Sequence, residues 1–393
     1  MATSDRIPLA DGILTWARKT AGYDIAGASH RLAITAERLT DWEAGKSFPT
    51  ITQLRNLAKL YKRPLAVLLL PEPPTEFSVL KDYRKLSTDE NRDWSPALHA
   101  EYKRALTQRE VVLELAELSP ASINDSQAEF SVDPNASAET AAATLRKLLK
   151  MDSWSRTVRS NPGAALNTAI GAIEQLGILV LHTRDVDIAE MRALSIPEWP
   201  HPVILLNGSD WPRPRLFSLL HELTHLAIQS GGICDLHEVR QPSAADDVIE
   251  NFCNQVAASV IMPKKEIEQD QAIASTTKWT LENLAAISTR FGASSEAFLL
   301  RLIGLGLVDW SVYRDLKPKL DAAYAEARAF QKARAKDAKG GPSFYVVKAR
   351  NLGPGYVHSV LDAFYSRAIS SFDVADYLDV KFNQVPKLQE ALR

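Results

Sequence analysis

RLFSLLHELTHLA, residues 215–227, is the stretch on which the reading turns. Its apolar spacing predicts a helix from about Leu216 to Ser230, preceded by Pro212 and Pro214 and stopped by Gly231 and Gly232. Leu216, Leu219, Leu220, Leu223, Leu226 and Ala227 form an apolar face. Ser218, His221, Glu222 and His225 fall on the other, so the expectation is a half-buried helix whose polar side lines a cleft. Residues four apart lie one turn apart on one face, so His221 and His225 can aim two imidazoles at one ion. Zinc accepts such nitrogen ligands at about 2.0–2.1 Å. Glu222, one residue on, is placed to accept a proton from an attacking water.

An open catalytic zinc site needs a third protein ligand. A second helical pattern, from near Asp246 to Pro263, supplies Glu250. Ile249, Phe252, Cys253, Val256, Ala257, Val260 and Ile261 make its apolar face, with Glu250 and Asn254 on the other. The small Ala257 and Ala258 permit close approach to a neighbouring helix. Asp246 or Asp247 could serve instead of Glu250, although capping and the helix dipole already account for acids there. The bland alternative, a core helix with two surface histidines, does not explain the acid-bearing helix that follows. Cys253 reads as a small core residue rather than a ligand, and His182 and His201 as structural.

The rest of the chain bounds these expectations. In 393 residues, 46% are apolar and 24% charged, with a formal net charge of −2. That is the composition of an ordinary folded domain protein, with no global attraction to nucleic acid or anionic membrane. Two cysteines, Cys234 and Cys253, are too few for a disulfide framework; two buried thiols are the simpler reading, with a bridge between them left open. The first residues, MATSDRIPLADG, lack a basic segment followed by an apolar run. The longest apolar run, PLAVLLLP at 64–71, is too short to span a bilayer. A cytoplasmic protein with no membrane partner is the expectation.

Four segments are expected. Residues 1–74 hold closely spaced short helices and end in PEPP. Residues 75–150 form a helical connector with a polar linker, with helices near 95–118 and 137–150. Residues 151–275 mix strands and helices, with Gly177–Thr183 and Pro202–Asn207 as strands. Residues 276–393 are mainly helical, with a Lys/Arg/Ala-rich run near 320–339.

The HELTH segment, the preceding PVILLN strand and the later ENFCNQVAASVIMP together resemble the ImmA/IrrE family of metallo-endopeptidases. The run from Asn254 to Pro263 is the more family-specific part, because HExxH is shared by unrelated peptidases. DYR at 82–84 and GASSEAFLLRLIGLGLVD at 292–309 look like further parts of the family pattern. The resemblance implies a zincin-like domain with Zn2+ held by His221, His225 and Glu250, and Glu222 as general base. Residues 12–74, with Ala28, the Leu32–Ile34 turn, a third helix from about Thr35 to Glu43 and WEAGKSFPT, resemble an XRE-type helix-turn-helix domain. The fold class that follows is α+β and mostly helical. It has an N-terminal five-helix bundle of that type, a central zincin-like domain with a small sheet, and a helical C-terminal region.

A zinc endopeptidase that cleaves a regulatory protein such as a repressor is the function this implies. DNA would be contacted through Thr35, Arg38 and Lys46, with a homodimer reading two half-sites. Residues 1–74 carry ten Lys and Arg against seven Asp and Glu, and Asp41 and Glu43 stand in the third helix, so the basic bias is mild. If Ala33 takes a positive φ, it costs on the order of 1 kcal/mol relative to Gly. The competing reading is a transcription regulator or toxin–antitoxin component whose zinc site senses or stabilises. Autocleavage in the polar linker near 119–136 is a further option, since exposed linkers are where chains are nicked.

Overall fold

The computed structural model describes residues 6–73, 94–118, 130–133, 135–154, 156–228, 233–234, 245–337, 341 and 343–392; at 156–157, 233–234, 245–247, 328 and 331–337 only the backbone is described. DYR at 82–84, most of the polar linker and Gly231–Gly232 lie outside these residues. The chain divides into two compact units, 1–104 and 105–393.

The first unit holds α1 (Ile13–Thr20), α2 (Ile25–Leu32), α3 (Ala36–Glu43), α4 (Ile51–Leu60) and a 3-10 turn, Leu65–Leu69. Side-chain caps set the starts. Asp24 accepts from Gly27 N, Thr35 from Arg38 N, and Thr50 and Gln53 form a reciprocal capping box. Ile13, Leu14, Leu39, Trp42, Leu54, Leu57 and Leu68 are the buried core. Buried Arg18 forks onto Glu43, with Nε–Oε1 at 2.7 Å and Nη2–Oε2 at 2.9 Å, tying α1 to α3. Ala33 does take a left-handed φ, 54°, between α2 and α3. A long helix, α5 (Pro96–Leu118), runs through the division between the units.

The second unit continues with α6 (Ala138–Leu148), α7 (Arg156–Ser160) and α8 (Pro162–Glu174). Three strands follow: β1 (Leu179–His182), β2 (Ala193–Ile196) and β3 (Val203–Leu206). Then come α9 (Pro212–Ala227), the two-residue β4 (Ile233–Cys234) and α10 (Ala245–Ile261). The remainder is helical: α11 (Lys264–Glu268), α12 (Gln271–Ala274), α13 (Leu281–Arg290), α14 (Ser295–Gly304), α15 (Trp310–Asp337), α16 (Phe344–Leu352), α17 (Pro354–Tyr365), α18 (Ser371–Tyr377) and α19 (Val385–Glu390).

The sheet order is β1-β3-β2-β4. β1 and β3 run parallel, with Leu179 opposite Val203, while β2 is antiparallel to both β3 and β4. The two expected strands are present but shorter, and β2 and β4 were not foreseen. All four residues of β1, β2 and β3 are buried. Helix α9 lies against β2 and β3 on one side and packs along α8 and α10.

Two expectations about α9 need correction. It begins at Pro212, a turn earlier than read, because Pro212 and Pro214 occupy its first turn. A proline there gives up an N–H that has no helical acceptor anyway. Nor is the helix half-buried: from Arg215 to Ala227 every residue except Phe217 is buried, His221 and Glu222 completely. The polar stripe faces the sheet and α10 rather than open solvent. In α10, Ile249 belongs to the exposed side rather than the apolar face, being 37% exposed.

The C-terminal helices attach to the sheet through a close backbone approach. Gly353, at φ 87°, begins α17, and a Cβ there would stand 2.5 Å from Val180 O. Glu174, at the end of α8, accepts from Gly355 N at 2.9 Å and from the backbone of Val180. Burial pushes its carboxyl up to about 7, against the pull of those two N–H groups. A carboxyl raised on folding contributes stability that is complete below its unfolded pKa, about 4.5, and is lost as pH climbs through 7. The cost of charging it in place is on the order of 3 kcal/mol. Glu174→Gln keeps the acceptor oxygen and removes the titration. The expected result is a variant whose melting temperature gains on wild type between pH 5 and 8; parallel curves over that range would show that Glu174 does not titrate in the folded chain.

Candidate metal centre

His221 and His225 stand one turn apart on α9, 0% and 2% exposed. Their Nε2 atoms face each other at 3.1 Å. Glu250, in the second turn of α10, brings Oε2 to 3.3 Å from His221 Nε2 and Oε1 to 3.3 Å from His225 Nε2. The donor atoms of this triplet all lie within 4.8 Å of one another. The side chains of Asp246 and Asp247, the alternative acids, fall outside the described residues.

This arrangement fits a divalent cation. Two imidazole nitrogens 3.1 Å apart and facing one carboxylate can share a single positive charge, a proton or a metal ion, held between them. Imidazole nitrogens and a carboxylate oxygen are the donors zinc takes in open sites. Without a metal, a proton takes the positive role. Burial alone would lower the His225 imidazole, but contacts with Cys253 and Glu250 and the charge of Glu222 carry it up to about 11. Burial works to raise the Glu250 carboxyl as well; bonds to the two imidazoles overcome it and hold the group well below the usual carboxylate range. Cys253, read from the sequence as a core residue, is buried but also touches His225, three residues along α10 from Glu250. It does not join the convergent triplet.

Glu222 is fully buried, and neither of its oxygens has a hydrogen-bond partner. Burial pushes its carboxyl up, while the charges of His225 and His221 and the Ser195 hydroxyl pull it back. A carboxylate so raised takes up a proton more readily than an exposed one, as suits a general base. Ser195 on β2 faces it, and its own hydroxyl, like that of Ser218 on α9, is buried without a partner. Sequence reasoning missed Ser195 because β2 itself was missed. Orphaned buried polar atoms normally find water or a ligand. Their concentration beside the triplet marks the reacting space.

The other chemistry-bearing residues fall elsewhere. His182 is buried on β1, with Nδ1 3.1 Å from Arg350 O, and His201 Nδ1 lies 3.1 Å from Gly177 O. In the first unit, Thr35 is spent capping α3, Arg38 lies over the Trp42 ring at 5.3 Å, and Lys46 is exposed, 3.9 Å from Asp41. Glu43, counted from sequence as an acid on a surface helix, is neutralised by Arg18.

An imidazole pair from one helix, closed by a carboxylate from the next with an unpartnered glutamate alongside, defines a metal-binding domain of the metallopeptidase class. Residues 173–302 match the family Peptidase_M78, described as the IrrE N-terminal-like domain, and the chain contains a metalloprotease domain of that family. It is 32% identical over 71 residues to the radiation response metalloprotease IrrE of Deinococcus radiodurans, and 34% identical over 70 residues to that of Deinococcus deserti. These alignments cover 18% and 17% of this chain, and 22% and 25% of the relatives' own length. Among the described residues no helix is long and apolar enough to cross a membrane.

Proposed function

We propose that the chain is a zinc-dependent endopeptidase acting on a regulatory protein. The reading rests above all on the convergence of His221, His225 and Glu250 beside a buried glutamate whose oxygens have no hydrogen-bond partner. Bound zinc would polarise the scissile carbonyl and make water acidic enough to attack. His221, His225 and Glu250 hold that ion. Glu222 accepts the water's proton and delivers it to the leaving amine. A sensory or purely structural zinc usually closes its shell with four protein ligands and has no use for a base. The convergent group among the described residues has three.

New protein N-termini, compared between cells expressing wild type and the Glu222→Gln chain, test the function and name the substrate. Identical sets of termini would reject it. Glu250→Ala is expected to lower zinc affinity at least tenfold, in line with the sensitivity of metal sites to their ligand shells. The zinc content retained after dialysis reads it; unchanged stoichiometry moves the third ligand elsewhere.

DNA contact through the first unit is part of the same proposal, with α2 and α3 as a helix-turn-helix and a homodimer reading two half-sites. Exposed Arg38 and Lys46, and the removal of Glu43 from the surface charge, support it. Arg38→Ala and Lys46→Ala should each weaken duplex binding and shallow its salt dependence by about one ion; an unchanged salt slope would remove these residues from the interface.

A further inference from the structure

Residues 370–388 of the second unit repeat the spacing of residues 24–42 of the first. Each segment begins with a side-chain cap, Asp24 for α2 and Ser370 for α18. Nine residues on, each first helix is followed by a non-glycine residue in the left-handed region, Ala33 at φ 54° and Asp379 at φ 50°. The turns close with the same backbone bonds: Ile34 N donates to Ser29 O and Val380 N to Ala375 O, both at 3.0 Å. Buried apolar side chains fall at the same offsets from the left-handed residue. Ala28 and Val374 stand five before it, Leu39 and Val385 six after, Trp42 and Leu388 nine after. Four residues, Leu378–Lys381, separate α18 from a 3-10 turn, Phe382–Gln384, that runs into α19. Two short helices joined by such a turn are the helix-turn-helix arrangement.

Turn geometry alone does not make a binding surface. A similar turn joins α13 to α14, with Gly292 at φ 74°, but there Phe298, Leu299 and Leu302 are buried and α14 packs on α10 and α15. The limb 381–390 differs. Val385 and Leu388 are buried and α19 packs on α16, while Lys381, Phe382, Asn383, Pro386, Lys387 and Glu390 are exposed. These side chains suit the edges of base pairs. An asparagine matches the donor and acceptor of adenine, a lysine reaches guanine or phosphate, and a phenyl ring meets the thymine methyl. Glu390 is the one acid among the six, and Asp379 in the turn is engaged by Lys348 Nζ at 2.5 Å. Lys387 stands over the Tyr345 ring at 5.8 Å, a contact that orients the ammonium and leaves its charge in place.

We propose that α18 and α19 form a second DNA-reading surface, with the limb 381–390 entering the major groove of a duplex. Neither proteolysis nor DNA contact by the first unit is required for it.

Selection of duplexes from a random-sequence pool, by the full chain carrying both Arg38→Ala and Lys46→Ala, tests this surface apart from the first unit. The expected result is an enriched sequence motif. Asn383→Ala added to that chain should bind the enriched duplex about tenfold more weakly and relax one base position. Lys387→Ala should shallow the salt dependence by about one ion. All four substituted positions are exposed, so the fold should tolerate the changes, and an unaltered melting temperature checks it. Enrichment that neither Asn383→Ala nor Lys387→Ala alters would place the DNA contact elsewhere and overturn the proposal. Failure to enrich any duplex would overturn it as well, leaving the face to a protein partner.

Discussion

Glu222→Gln is expected to leave a folded chain that binds zinc at wild-type stoichiometry and hydrolyses peptide bonds about 100- to 10,000-fold more slowly, the usual worth of a positioned general base. The substitution is nearly isosteric, so the packing of α9 against the sheet should persist. Neither carboxyl oxygen makes a hydrogen bond that the amide would have to reproduce. Burial disfavours the charged form of this group, so an uncharged amide should fold at least as well. The melting temperature is therefore expected to be equal or higher while activity collapses. A structural glutamate would behave in the opposite way, losing stability and activity together. Wild-type turnover by the variant, or a drop in its melting temperature with zinc bound, would show that Glu222 is not the base.

The centre itself was legible because its parts are local in sequence. Imidazoles four residues apart share a helix face wherever that helix lies, and the amphipathic pattern of 245–261 turned Glu250 the same way. Strands β1 and β3 were visible as apolar runs bounded by turn residues. β2 was not: Ala193–Ile196 is four residues long and contains a serine, and the turn before it is marked only by Asp187, which caps Ala189 N. Its strand character comes from pairing with β3 and β4, which is a non-local fact. The complete burial of α9 was hidden for the same reason. A polar stripe reads as solvent-facing until a second helix and a sheet are known to cover it. Arg215 is the sharpest case. A basic residue in the approach to a helix reads as surface charge, and only the fold shows it enclosed.

The second large effect lies at the other end of the ligand-bearing helix. The last carbonyls of an α-helix have no internal partners and carry the negative end of its dipole. In α10 two buried arginines take them. Arg146 Nη1 donates to Val260 O at 2.7 Å, and Arg301 Nε donates to Met262 O at 3.1 Å. Arg301 also pairs with Glu139 on α6, which accepts from Ser259 Oγ at 3.1 Å. One guanidinium thus joins α14, α6 and the end of α10. Arg301→Met keeps much of the aliphatic stem but strips the carbonyl of its donor and Glu139 of its cation. Breaking a buried pair costs about 3–5 kcal/mol. The Glu139 side chain is 38% exposed and can be partly rehydrated, which places the expected loss near the low end, about 3 kcal/mol. Chemical denaturation reads it directly. Glu139→Gln in the Arg301→Met background should add little further loss, because the two residues are already uncoupled. Zinc should restore part of the stability, since it binds only the folded arrangement. If Arg301→Met unfolds at the wild-type midpoint, the end of α10 is held by Arg146 alone, and Arg301 plays no part in setting the helix that carries Glu250.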